Sequence, residues 1–520
     1  MAETNPGQRS ALVEVLWTQQ GGWRNSLVWR AFGWAVLQIH FQGLFQVPLW
    51  DYWRSCPLDF HAFSFSALAL ILFGPRLILH IFMAFSGLAV LITTLSGQDS
   101  VIFFPAAEYP IMIGFPTVVS LLAIWMFWRE RHNAAKAPDK PWLSPEAQSE
   151  LEGAQLTAGR IWMFILMSFA GLHKINADFF NEEVGCTHAV MGITRKWWNT
   201  AEWNPIYDYI LDTTPPLVAV GFEMLIPFIC LLMPRVGVLT AVFFAANIAL
   251  AAPTAFTATV VTLSFSFLPQ GDWPAIKAGL WKHKHWILLV LAGVLTLSYS
   301  VYSGRRNWTQ FAIHHVVLVW VGSGGLIALW SAHRDKRGQW AKAWQNFNFK
   351  EHLRQRWLWP KKDKVMRRGL VVFMALAMLN CLSPYFGGHF QYTFAMFSNL
   401  RVDDNRWNSY IFPRAMRLTE HDPFSHVREV DRIGQGPQTP PKDKHLIVPK
   451  LYSVRAFKTR LEFHRKHKLH INAKVRYQGE EGLFNDLAHN PAADTWVNTL
   501  PDTGWYRSAL VLDGPQACKH

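Results

Sequence analysis

The chain has 520 residues, 51% hydrophobic and 17% charged, and a mean hydropathy of +0.08 that matches a soluble protein only because two opposed compositions cancel in it. The apolar residues are gathered into long runs divided by short polar stretches, which excludes intrinsic disorder and argues against an ordinary soluble enzyme. Lys and Arg number 50 against 36 Asp and Glu, a net charge of +14, and with 26 Trp and 37 Phe the pattern fits basic loops and aromatic belts at a membrane better than it fits nucleic-acid binding.

The first twenty residues, with Glu3 and Glu14, do not form a cleavable signal peptide, and residues 1–26 read as a cytoplasmic segment. A bilayer core of about 30 Å takes about 20 mostly apolar residues in helix. In chain order the predicted crossings are 27–45, 63–74, 77–95, 111–128, 161–180, 215–233, 236–252, 254–268, 286–302, 308–330 and 370–386. The sequence therefore predicts a mainly α, polytopic helical membrane bundle of about eleven crossings over residues 27–386.

Residues 333–368 carry twelve Lys and Arg against Asp335, Glu351 and Asp363, so this loop is expected to face the cytoplasm. Residues 181–214 and the tail from 387 to 520 then lie outside. That tail reads as a small extracytoplasmic lobe of α/β type: a helix over 451–468, then an alternating strand within 469–477, after a Pro-rich stretch at 434–444. These expectations describe an integral protein of a bacterial inner membrane, with its amino terminus cytoplasmic and its carboxy-terminal lobe periplasmic. Its basic side is expected to meet anionic lipid headgroups. No internal repeat of the kind seen in inverted-repeat transporters is visible.

Ionisable residues within the apolar runs are the first candidates for function, because each is costly at membrane depth. AGLHKINADFF (170–180) places His173 and Lys174 inside the membrane or at its outer boundary, and a continuing helix would put Lys174 and Asp178 on one face. A desolvated lysine there can act as a base; the plainer reading is a lysine that snorkels outward and pairs with Asp178. Glu223 sits inside another apolar run and must be protonated, paired or water-facing. His40, His80 and the adjacent His314 and His315 read as packed histidines, since neighbours in one helix point about 100° apart and cannot share a metal. No metal site is predicted. Cys56, Cys186 and Cys518 fall on the outer side, which admits one disulfide; Cys56 with Cys186 is the first of three choices. The segment 394–410 is expected at the mouth of the bundle, either touching substrate or seating the lobe on the membrane.

The residues 170–180 resemble the AGxxKLxxDW-like signature of the vitamin K-dependent gamma-carboxylase family and its bacterial relatives, the horizontally transferred transmembrane (HTTM) domain proteins. GFEMLIPFICLLMPRVGVLTAVFF (221–244) is similar to the family's next block, an acid in an apolar helix that ends in a Pro-Arg turn. FAMFSNLR (394–401) is similar to a stretch in many bacterial members. The resemblance covers roughly 27–268 by order of spans. It implies that Lys174 stands where the family's lysine deprotonates a hydroquinone cofactor, with peptide glutamate as substrate and carboxylase-like lyase or quinone-dependent epoxidase-like chemistry. His173, Asp178 and Glu223 would then belong to the same catalytic pocket.

Two stretches depart from that pattern. Where carboxylases carry a WNNHSY-like motif this chain has SGQDSVIFFPAAEYP (96–110), and in place of the family's Phe-His it has FFAANIAL (243–250). These departures favour a second expectation: a catalytically silent member that serves as a membrane-embedded accessory or assembly subunit and holds a protein partner at its outer face.

Overall fold

A serine followed by a proline is a strong helix start: the hydroxyl caps the first free N–H groups, and proline is tolerated in the first turn. In the computed structural model Ser144 Oγ accepts from the Ala147 N–H at 3.2 Å, and a helix of 30 residues, Pro145–Lys174, follows. The structure describes residues 33, 58–74, 76–96, 109–134, 144–198, 200–249, 254–269, 272–286, 288–289, 292–293, 363–386, 400, 407–416, 426–435, 450–453, 458, 461, 465, 471–477, 480–484, 489–499 and 510–511. Over these it is mainly helical.

In chain order the helices are α1 (Leu58–Phe73), α2 (Leu77–Ser96), α3 (Tyr109–Ala134), α4 (Pro145–Lys174), α5 (Cys186–Trp198), α6 (Thr200–Trp203), α7 (Pro205–Thr213), α8 (Pro216–Leu232), α9 (Pro234–Ala249), α10 (Thr254–Phe265), α11 (Asp272–Lys282) and α12 (Lys364–Leu382). Gly74 closes α1 with φ 73° and an N–H bond to the Leu70 carbonyl at 2.9 Å, a conformation that favours glycine. Among the described residues two helical stretches, Pro145–Lys174 and Lys364–Phe386, are long and apolar enough to cross a membrane by length and composition; α1, α2, α8, α9 and α10 contribute shorter apolar helices.

One apolar core joins α1, α2, α3, α4, α8, α9, α10 and α12. Trp162 of α4 sits at its middle, stacked on Phe115 at 6.2 Å and on Phe373 at 5.3 Å. At one end of the bundle Asp363, the N-cap of α12, accepts from the Val365 and Met366 N–H groups, from the Trp125 indole at 3.1 Å and from Arg129 at 2.7 Å. Glu150 of α4 accepts from the Asp363 N–H at 2.9 Å. This clamp fastens the end of α3 to the beginnings of α4 and α12.

α4 corrects the expected crossing at 161–180. It begins sixteen residues earlier, because small residues such as Ala147, Gly153, Ala154, Ala158 and Gly159 bury a face that hydropathy alone reads as loop. Arg160, expected at a boundary, lies near the middle of α4, buried, with its Nε donating to the Ser266 carbonyl at 2.8 Å. The helix also stops at Lys174, so Asp178 does not share its face. Expected crossings at 27–45, 286–302 and 308–330 lie largely or wholly outside the described residues.

Towards the carboxy terminus five antiparallel strands run β1 (His426–Gln435), β2 (Lys450–Ser453), β3 (Ile471–Tyr477), β4 (Glu480–Phe484) and β5 (Leu510–Val511), in the order β4-β3-β1-β2-β5. β3 falls where the alternating pattern predicts a strand. The expected helix over 451–468 is corrected at its start, since residues 451–453 belong to β2; Lys458, Leu461 and Arg465 are helical. Gly434 and Gln435 end β1 rather than opening a loop. A further helix, α13 (Pro491–Thr499), lies between β4 and β5.

Candidate functional site

The last turn of α4 meets the middle of α8 because Gly171 has no side chain. A Cβ at Gly171 would lie 2.5 Å from the Met224 Cγ, so only glycine permits this approach without displacing Met224. Lys174, one turn further along α4, and Glu223, next to Met224, are thereby brought together. Lys174 Nζ lies 2.8 Å from Glu223 Oε2 and donates to the Ala170 carbonyl at 3.1 Å. Both side chains are buried.

His173, its neighbour, faces elsewhere. Its Nδ1 shares a 2.7 Å hydrogen bond with the Tyr385 hydroxyl at the end of α12, and the two rings stack at 5.4 Å. Tyr385 also shares a hydrogen bond with the Ser409 side chain. The chain leaves α4 through Asn176, whose amide donates to the His173 carbonyl at 2.8 Å while its oxygen accepts from the Phe179 N–H at 2.9 Å. This side-chain bridge takes over from the helix ladder and ends it. Asp178 lies buried in the turn beyond.

Across that turn runs a strap. Asn176 and Ser409 form an antiparallel bridge, the Ala177 N–H donates to the Asn408 carbonyl at 2.9 Å, and the Tyr410 N–H donates to the Ile175 carbonyl at 3.2 Å. Asn408 adds its amide to the Asn176 oxygen at 3.3 Å. The strap ties residues 407–410 to the chain that leaves α4. Tyr385, Asn176, Asn408 and Ser409 were not singled out by sequence; the polar WNSY (407–410) and the lone tyrosine of LSPYFGG (382–388) were the signals available.

Phe179, Cys186 and Val220 form a small apolar cluster, with Ile175 and Met224 packed against it. Cys186 is disulfide-bonded. Cys230 and Cys381 are free and buried, which leaves Cys56 or Cys518 as its partner, both outside the described residues. His80 is buried and shares a 3.1 Å hydrogen bond with the Ser120 hydroxyl; His40, His314 and His315 lie outside the described residues. Among the described residues no group of three or more His, Cys, Asp or Glu converges as a metal site would require.

The structure thus joins two of the four predicted catalytic residues, Lys174 and Glu223, in one ion pair, gives His173 a separate partner, and sets Asp178 in the adjoining turn. Comparison with protein-family models, curated proteins and solved structures finds no match for the chain.

Proposed function

We propose that the chain is an integral membrane protein of the HTTM and gamma-carboxylase-like type, a bundle of about eleven crossings with an extracytoplasmic carboxy-terminal lobe, built around a proton-handling Lys174–Glu223 pair. The membrane reading is supported by an inverted distribution of polarity. Phe82, Phe85 and Ile92 on α2, Leu225 and Phe228 on α8, and Leu376 and Leu379 on α12 are exposed, while Arg160, His173, Lys174, Glu223 and His80 are buried. A water-soluble protein arranges these types the other way round.

The observation that carries the functional reading is the buried Lys174–Glu223 pair at 2.8 Å. A proton shared by Lys174 and Glu223 can rest on either atom. With Glu223 protonated and Lys174 neutral, the two N–H bonds of the amine would serve the Ala170 carbonyl and Glu223, and its lone pair would take the proton of an acidic hydroxyl held against it, leaving an ammonium and a ligand oxyanion. A quinol-type ligand would supply such a hydroxyl, and the resemblance suggests a peptide as the group finally modified. The disulfide at Cys186 fits an oxidising outer compartment, with Cys56 the proposed partner.

A second reading rests on the same pair. Opposite charges that clamp α4 to α8 need no chemistry, and a silent accessory subunit would keep them for packing alone. The experiment is purification from membranes with organic extraction of bound lipid, alongside oxygen consumption with an added hydroquinone. The catalytic reading expects a co-purifying quinone and hydroquinone-dependent oxygen uptake that falls about a hundredfold or more in Lys174→Ala. A folded wild-type protein with neither property, held in a stoichiometric complex with another protein, establishes the accessory reading instead.

A further inference from the structure

The short helix α7 has two unlike faces. Ile206, Tyr209 and Ile210 follow the i, i+3, i+4 spacing of one stripe and are 74%, 69% and 51% exposed. On the other side Leu211 is buried, and Asp208 and Asp212 share a single cation: Arg195 of α5 donates to both Asp208 oxygens at 2.9 and 2.8 Å and pairs with Asp212. Arg195 thus offsets one of the two carboxylate charges of α7, Asp212 stays 59% exposed, and the stripe of Ile206, Tyr209 and Ile210 itself carries no charge.

The end of α7 is finished in the same way. Thr213 donates its hydroxyl to the Tyr209 carbonyl at 2.8 Å and Thr214 to the Ile210 carbonyl at 2.6 Å. Carbonyls of a last helical turn normally turn to water; here side chains of the same segment satisfy them, which suits surroundings poor in water. Beyond Pro215, Leu217 and Val218 at the start of α8 are exposed apolar residues as well. The sequence leading into the stripe, KWWNTAEWNPIYDYI (196–210), carries three Trp and two Tyr, the residue types enriched at bilayer interfaces.

We propose that α7 lies in the plane of the outer membrane interface, with Ile206, Tyr209 and Ile210 inserted at the boundary between lipid headgroups and acyl chains. The inference rests on the membrane reading proposed above and adds to it a lipid-contacting element outside the crossings. The exposed apolar residues at the start of α8, which the membrane reading sets against lipid, and the Trp- and Tyr-rich sequence 196–210 select lipid as the occupant.

The test uses the full chain in vesicles of phosphatidylcholine and phosphatidylglycerol, with an environment-sensitive fluorophore on Ile206→Cys or, separately, Ile210→Cys; labelling of the wild-type chain is subtracted. Glu202→Cys serves as the water-exposed reference and Leu376→Cys as the reference for the bundle. The expected result is blue-shifted emission at 206 and 210, quenched by lipids carrying a nitroxide at the headgroup or high on the chain and resistant to aqueous iodide. Iodide quenching equal to that at 202 overturns the proposal, as does shielding from both quenchers, which would place a protein partner or a second copy on the stripe. If the label at 376 is untouched by nitroxides deep in the bilayer, the membrane reading itself fails. If 376 is quenched while 206 and 210 meet iodide, only the placement of α7 fails.

Discussion

Lys174 and Glu223 are each expensive to bury, and their attraction offsets that cost only while both are present. Asp363 at the other end of α4 makes a different bargain with solvent. Burial pushes its carboxyl up, but the Met366 N–H, the Trp125 indole, the charge of Arg129 and the Val365 N–H outweigh burial and hold it below its ordinary 3.8. A carboxyl depressed by folding stabilises the fold above its unfolded value and loses that contribution as pH falls through its folded value. Asp363→Asn should therefore cost about 1–3 kcal/mol at neutral pH and reduce the loss of stability on acidification below 3.8; thermal unfolding in detergent across a pH series measures both. An unchanged acid limb in the variant would remove Asp363 from the account. The sequence made Lys174 and Glu223 legible singly, because an ionisable side chain in an apolar run is conspicuous. Their pairing was not legible: helix periodicity offered Asp178 as the nearer carboxylate, and the helix ends before reaching it because Asn176 bonds back to His173 and forward to Phe179.

At the scale of elements, the approach of α4 to α8 depends on Gly171. A methyl group there must displace Met224, which is unbranched and adaptable, or push the helices apart and stretch the ion pair. Gly171→Ala is expected to lower stability by about 1–3 kcal/mol, and Met224→Ala in the same chain should recover most of the loss by clearing the methyl's path. Differential unfolding temperatures of the single and double variants decide it; a double variant no better than the single one would mean that Gly171 does not set the spacing. The apolar runs of the sequence overlap α1, α2, α3, α8, α9, α10 and α12, but α4 begins sixteen residues before its run. Its first half carries Glu146, Gln148, Ser149, Glu150, Glu152 and Gln155, and hydropathy counts these as loop. The small residues between them were the better sign, for they allow a polar stretch to pack as a helix against α3 and α12.

For the whole molecule, the length of α4 relates its two polar ends. Glu150 in the Asp363 clamp and Lys174 under the strap lie about 36 Å apart along the helix axis, somewhat more than a hydrocarbon core of about 30 Å. The clamp adjoins residues 333–368, where twelve Lys and Arg face three acids; the strap adjoins the chain that leads to the five-stranded sheet. If the basic loop fixes the inner side, everything after α12 lies outside, and the Lys174 site opens towards the strap and the outer leaflet. Reporter fusions test this without regard to chemistry. Alkaline phosphatase, which matures only outside the cytoplasm, should be active when joined after His520 and inactive when inserted at Gly338, and a fluorescent protein that folds in the cytoplasm should show the reverse. Replacing Arg354, Arg356, Lys361 and Lys362 by Gln should weaken that contrast, because orientation follows the count of Lys and Arg near the membrane rather than net charge. Strong phosphatase activity at Gly338 in the unaltered chain would invert the arrangement and carry the Lys174–Glu223 pair to the cytoplasmic side.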